Sequence, residues 1–145
     1  MGIELRQPGS REEFEQYYDL RWRILRRPWN QSRESVQDER DESAVHLGAW
    51  DGDGLVGVGR LHFNSPAEAQ VRYMAVEEGR TGKGVGSLVL RELEERARRA
   101  GATRIVLNAR DNAVPFYHRH GYHLMEQAPT LLFDSIVHRW MGKDL

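Results

Sequence analysis

The chain predicts an α/β fold, a mixed sheet of seven strands with about four helices on its two faces. Three observations carry that prediction. Strand-like and helix-like segments follow in the order β-α-α-β-β-β-α-β-α-β-β, which calls for helices packed against a sheet. "DGDG", Asp51 to Gly54, separates two apolar runs and signals an antiparallel hairpin. "GRTGKGVG", Gly79 to Gly86, stands between a strand-like run and a helix-like one. A bare backbone loop therefore leads directly into a helix. The 145 residues read as a single domain, residues 1–145. A chain of that size buries about 70% of its extended surface on folding, enough for a core without staples.

Taken in order, "IELRQP" is a short strand. Ser10 and Glu13 form the S-x-x-E capping box that opens a helix over "REEFEQYYDLRWRILRRP". Phe14, Tyr17, Tyr18, Trp22 and Leu25 recur near helical spacing and define its buried face, and Pro28 stops it. With those aromatics inward, "RWRILRR" becomes the solvated face. "NQSRESVQDERDES" is polar throughout and predicts a short second helix on the surface.

"AVHLGAW" and "LVGVGRLHF" are the hairpin strands, and "QVRYMAV" is the fourth strand. The long helix runs from Gly84 to Ala100 with Val89, Leu93 and Ala97 on one face. Glu92 with Arg96, Glu94 with Arg98 and Glu95 with Arg99 are i,i+4 pairs expected on its solvent side. Gly101 ends it. "TRIVLNA" is apolar enough to be buried on both faces. "NAVPFYHRHG" is a short helix with Pro115 in its first turn and Gly121 at its close. "YHLMEQ" and "DSIVHRWM" are the last two strands, an antiparallel pair.

Composition excludes several functions. Charged residues are 30% of the chain but the net charge is −1, so no global grip on nucleic acid is implied. There is no cysteine, hence no disulfide framework and no thiolate nucleophile. No apolar run approaches the ~20 residues of a membrane span, and "MGIELRQPGS" lacks the blocks of a signal peptide. A cytoplasmic protein without membrane or nucleic-acid partners is the expectation. His118, His120 and His123 are spaced to point apart, so no metal site is expected.

A strand, a glycine loop and a helix place an anion on free N–H groups. Spacing excludes two versions. The triphosphate loop needs Ser or Thr after Gly-Lys, but Gly82-Lys83 is followed by Gly84 and position 77 is Glu. The dinucleotide fingerprint needs a third glycine where Ser87 stands, and an acidic residue after a following strand. What is left is a loop offering the amides of Gly82 to Ser87 to an extended anion, or a turn that merely links strand to helix. Arg80 and Lys83 add positive charge nearby.

A second motif follows the next strand. "TGKGVG" (Thr81 to Gly86) and "AVPFYHRHGY" (Ala113 to Tyr122) together resemble the two signatures of the GNAT superfamily of acyl-CoA-dependent N-acetyltransferases. The order of elements matches over essentially the whole chain. The resemblance implies a GNAT-like, largely antiparallel sheet whose fourth and fifth strands splay apart. It implies acetyl-coenzyme A as cosubstrate, its pyrophosphate on Thr81, Gly82, Lys83, Gly84, Val85, Gly86 and Ser87, with Asn112 nearby. The backbone of Val76 would pair with the pantetheine arm, and the Met74 N–H would point at the thioester carbonyl. Tyr117 would protonate the departing thiolate. The acceptor would be a small-molecule or protein amine, entering past the first two helices, and the unpaired edges of such a sheet leave room for a homodimer.

Three positions depart from the family pattern. Thr81 stands where Arg or Gln is usual, Arg110 where Asn is frequent, and Gln70 where some members place a Glu. The general base stays open among Glu68, His46, His62 and His138. A non-catalytic acyl-CoA sensor fits the same residues.

Overall fold

The computed structural model describes residues 2–145. Its sheet is organised around two consecutive hairpins. Strands β2 (Val45–Asp51) and β3 (Gly54–Ser65) are joined by Gly52 and Asp53, and β3 turns back as β4 (Glu68–Val76). β1 (Glu4–Arg6) lies on the outer side of β2. Helix α2 (Val85–Arg99) carries the chain across to β5 (Arg104–Arg110), which pairs parallel with β4. β8 (Ile136–Asp144) pairs antiparallel with β5, and both β6 (His123–Leu124) and β7 (Thr130–Leu132) pair with β8. The order is β1-β2-β3-β4-β5-β8-β6, with β4–β5 its parallel pair. The mixed, largely antiparallel sheet is as the sequence predicts, with β7 as an added eighth strand.

Helix α1 (Arg11–Leu25) begins where the capping box places it, with Ser10 Oγ accepting the Glu13 N–H at 3.1 Å. The reciprocal arm differs: Glu13 accepts from Gly9 N–H (2.7 Å) and from Arg6 (2.7 and 2.8 Å), which ties the helix to β1. After α1 a 3₁₀ turn (Arg27–Trp29) carries Pro28, and the expected second helix over residues 30–43 is instead a single 3₁₀ turn, Arg33–Val36. That segment has Val36 as its one buried apolar side chain and no stripe to hold a helix down. The α-helices are therefore α1, α2 and the short α3 (Val114–Arg119). Among the described residues no helix is long and apolar enough to cross a membrane.

α1 and α2 cover opposite faces. Gly57 and Gly59 point toward α2, where an added Cβ would come within 2.7 Å of Val85 and 2.8 Å of Val89 and Leu93. The alternating glycines of "LVGVGRL" let α2 lie directly on the sheet. Val58, between them, packs with Tyr17, Leu20 and Ala75 under α1.

Two charged stretches read as solvated each bury part of their charge. Arg21 is 0% exposed and Arg26 5%, so the basic run turns these two arginines inward while Arg27 stays exposed. Glu94 is also buried, accepting from the Tyr122 hydroxyl (2.8 Å) and Lys143 Nζ (3.1 Å) rather than pairing with Arg98. Its partners lie far along the chain, so i,i+4 spacing could not show them. The Glu92–Arg96 and Glu95–Arg99 pairs form at 3.0 and 3.5 Å.

Candidate active site

β4 and β5 stay paired only through Glu68–Val71 and Arg104–Leu107. Beyond that point they part, and a cavity of about 360 Å³ opens between them. A bulge in β4 accompanies the opening: Arg60 of β3 faces Arg72 and Val58 faces Ala75, so Tyr73 and Met74 together stand opposite Gly59. Tyr73 takes a left-handed backbone, φ 58°, which a tyrosine adopts only under constraint. The bulge leaves the Gly59 carbonyl to accept from the Tyr17 hydroxyl at 3.2 Å.

That constraint is a buried ionic network. The Tyr73 ring has four guanidiniums near it, at 4.4 Å (Arg21), 4.6 Å (Arg72), 5.0 Å (Arg60) and 5.5 Å (Arg26). Asp41 bridges Arg21 (2.9 Å) and Arg60, and Asp38 joins Arg60 to Arg72. Arg60 and Arg21 are both fully buried. Burying such charges is sustainable only because each is paired.

Past Val76 the chain enters the glycine loop. Gly82 (φ 75°) and Gly84 (φ 85°) are left-handed, and nothing lies within 4 Å of where a Cβ would sit on either. Gly84 caps α2 without a side-chain hydrogen bond. The Leu88 N–H makes the first helical bond, to the Gly84 carbonyl. The N–H groups of Val85, Gly86 and Ser87 thus have no intrahelical acceptor, and the helix dipole adds its positive end there. Thr81 and Lys83 are exposed beside them, and Arg80 is taken by Asp51 at 2.7 Å. An extended anion fits this surface.

α3 closes the other side of the opening. Tyr117 is 9% exposed, and its hydroxyl donates to Met74 Sδ at 3.7 Å. Burial pushes its phenol up to about 12. Phe116 approaches both Gly86 and Tyr117, linking the start of α2 to the cavity wall. Ser87 Oγ shares a hydrogen bond with His120 Nε2 at 2.9 Å, which fixes α2 against α3.

Of the residues expected to act, Met74 and Tyr117 line the cavity together. Val76 reaches Gly86, so the loop and the cavity are contiguous through the end of β4. Asn112 is exposed in a 3₁₀ turn (Asp111–Ala113) and does not line the cavity. Among the base candidates, Glu68 pairs with Arg104, His46 is enclosed by Tyr17 and Asp41, and His62 bonds Arg60. His138 alone of the four lines the cavity. Its Nδ1 is 3.1 Å from the Ile136 carbonyl and must donate to it, which leaves Nε2 as the acceptor. Burial, then Arg110, Arg26 and Arg72, depress its pKa, outweighing the Ile136 bond, so the ring is neutral near pH 7. Asn108 adds a buried Oδ1 with no partner, its Nδ2 donating to Thr130 at 3.0 Å. Sequence reasoning missed Asn108, which carries no local signal. Arg110 was visible as a departure from the family pattern.

A family model described as Acetyltransferase (GNAT) family matches residues 14–122. An uncharacterized N-acetyltransferase of Bacillus subtilis (strain 168), YjcF, is 29% identical over 135 residues, covering 93% of this chain and 95% of that protein. A crystal structure of a proposed N-acetyltransferase from Lactobacillus plantarum superposes with TM-score 0.87 at 20% identity, covering 100% of this chain and 99% of that one. An aminoglycoside 6'-N-acetyltransferase complexed with coenzyme A superposes with TM-score 0.80 at 18% identity, covering 99% and 97%. At these identities the structures speak for the fold.

Proposed function

Because the chain belongs to the GNAT family of acetyltransferases, we propose that it moves an acetyl group from acetyl-coenzyme A to a primary amine by direct attack on the thioester. One observation supports this most: Tyr117 and Met74 meet at 3.7 Å in the split of β4 and β5, beside an uncapped helix N-terminus. In this reading the amides of Gly82 to Ser87 hold the pyrophosphate and Val76 guides the pantetheine arm. The Met74 N–H donates to the carbonyl oxygen as charge develops on it, an interaction typically worth about 3–4 kcal/mol.

Two protons then have to move. The amine nitrogen bonds to the acetyl carbon, the carbon–sulfur bond breaks, and the sulfur takes a proton. Tyr117 supplies it. A phenol near 12 is a weak acid toward a thiol of about 8.5 in water. The same burial raises a thiolate placed there, which narrows the gap. His138 takes the proton from the amine through Nε2, directly or by one water.

The test is thiol release from acetyl-coenzyme A with a panel of amines, comparing the parent with Tyr117→Phe. Phenylalanine keeps the ring and its packing, so coenzyme A affinity should persist while kcat falls by ~10²–10⁴. An unchanged kcat would mean that water protonates the thiolate. Tight coenzyme A binding without turnover on any amine would favour the sensor.

A further inference from the structure

The acceptor end of the cavity carries charge of one sign. Arg26, Arg72 and Arg110 line it beside the neutral His138, and no aspartate or glutamate does. Arg72 is committed to Asp38 at 2.6 Å. Arg26 is only 5% exposed; its guanidinium donates to the main-chain carbonyls of Ser35 and Leu25, each at 3.2 Å, and lies over the Tyr73 and Phe133 rings. Arg110 likewise donates to the Leu25 carbonyl at 3.0 Å. No carboxylate acts on either among the described residues. Burial pulls both guanidiniums below the ordinary arginine range; on Arg26, Tyr73 opposes the effect and Arg72 and Arg110 add to it.

Elsewhere in this protein a buried arginine has its carboxylate: Arg21 has Asp41, and Arg60 has Asp38 and Asp41. A guanidinium buried without one is costly. A buried Arg26 and a half-buried Arg110, both without a carboxylate at one end of a cavity, leave a place for an anion that the chain itself does not supply. The rest of that wall is apolar, from Leu25, Leu131, Leu132 and Trp140.

We propose that the acceptor is a small amine bearing a carboxylate and an apolar body, an amino-acid-like substrate whose carboxylate is held by Arg26 and Arg110. The proposal rests on the acetyl-transfer reading above. A guanidinium fork matches a planar carboxylate. The same cations disfavour an ammonium beside them, which favours the neutral amine that attacks. The orphan Asn108 Oδ1 can accept an N–H from the amine end. About 360 Å³, shared with the thioester, suits a free amino acid and repels or excludes a polycation such as an aminoglycoside or a polyamine.

Thiol release is measured at saturating acetyl-coenzyme A with L-leucine, L-methionine and L-phenylalanine, each against its amide, and with spermidine. At least one amino acid should exceed its own amide by about 100-fold in kcat/KM, with spermidine lowest. Arg110→Gln should cut that ratio below about tenfold, chiefly through KM, with coenzyme A affinity by calorimetry unchanged. Arg26→Lys, which keeps the charge and loses the fork, should give an intermediate ratio and guards against a misfolded variant. Amides or spermidine used as well as the amino acids would overturn the proposal, as would an unchanged ratio in Arg110→Gln. Should coenzyme A bind and no amine turn over, the acetyl-transfer reading fails. Calorimetric titration of the coenzyme A complex with the same amino acids then decides the carboxylate site: binding lost in Arg110→Gln upholds it, and no binding overturns it.

Discussion

At the α2 end of the cleft the groups offered to a ligand are backbone N–H donors on Val85, Gly86 and Ser87. At the Tyr73 end they are shaped by guanidiniums brought in from α1, β3 and β4. The first end is cheap for the fold, since the space beside Gly82 and Gly84 is open and a Cβ there would meet no protein atom, leaving only the backbone strain of a positive φ. The second is expensive, since its charges are buried and stable only as a set. Substitutions at the first should change affinity with modest change in stability, and substitutions at the second should change stability above all.

Asp41→Ala is the strongest way to break that contrast. It leaves Arg21 and Arg60, both 0% exposed, without the carboxylate that bridges them. Stability should fall by about 3–5 kcal/mol, read as a lower urea midpoint. A midpoint equal to the parent's would show that water reaches these guanidiniums and that the network does not hold the bulge.

The second effect is a pH dependence at the Tyr73 end. His62 Nδ1 accepts from Arg60 Nη2 at 3.0 Å, because arginine can only donate. Burial, then Arg60 and Arg40, lower its pKa from 6.5 to about 4, Asp38 opposing. As pH falls, the unfolded chain binds the proton first, so stability present at pH 7 is lost between pH 6.5 and 4. The loss attributable to His62 is about 3 kcal/mol. His62→Gln, which keeps an acceptor and cannot charge, should flatten the fall of Tm across that window. A slope as steep as the parent's would move the effect to His46.

The same contrast explains what the sequence revealed. A backbone site needs glycines at fixed spacing before a helix, and Gly82, Gly84 and Gly86 are all within eight residues of Gly79. The hairpin at Asp51–Gly54 and the capping box are equally local. Arg21, Asp41 and Arg60 meet from positions 20 and 19 residues apart, and nothing near any of them announces it. Read by composition, "RWRILRR" looks solvated. The burial of Arg21 and Arg26 is a tertiary fact that periodicity alone cannot carry.

Gly84→Asp tests the inexpensive end. Aspartate is among the few residues that tolerate φ 85°, and open space surrounds it, so the fold should survive with about 1 kcal/mol lost. Its carboxylate would face the pyrophosphate. Calorimetry should show coenzyme A affinity reduced at least tenfold, about 1.4 kcal/mol. Unchanged affinity in a folded variant would remove the loop from the binding site.

The smallest effect separates the backbone at that end from its one unpaired cation. Arg80 is held by Asp51 at 2.7 Å, whereas no ion pair engages Lys83 among the described residues. Thr81 carries no charge, so Lys83 is the loop residue able to give binding a salt-dependent part. Exposed charges are screened over about 8 Å at physiological ionic strength, and an exposed pair contributes roughly 0.2–1 kcal/mol. Lys83→Gln should therefore weaken coenzyme A binding about two- to fivefold at low salt and converge with the parent near 1 M salt. Arg80→Gln should track the parent's slope, because its charge is already spent on Asp51. A reversed pattern, with Arg80→Gln flattening the slope and Lys83→Gln leaving it alone, would mean that Arg80 leaves Asp51 when the phosphates arrive. Flat binding in all three proteins would leave the amides of α2 as the whole of the phosphate site.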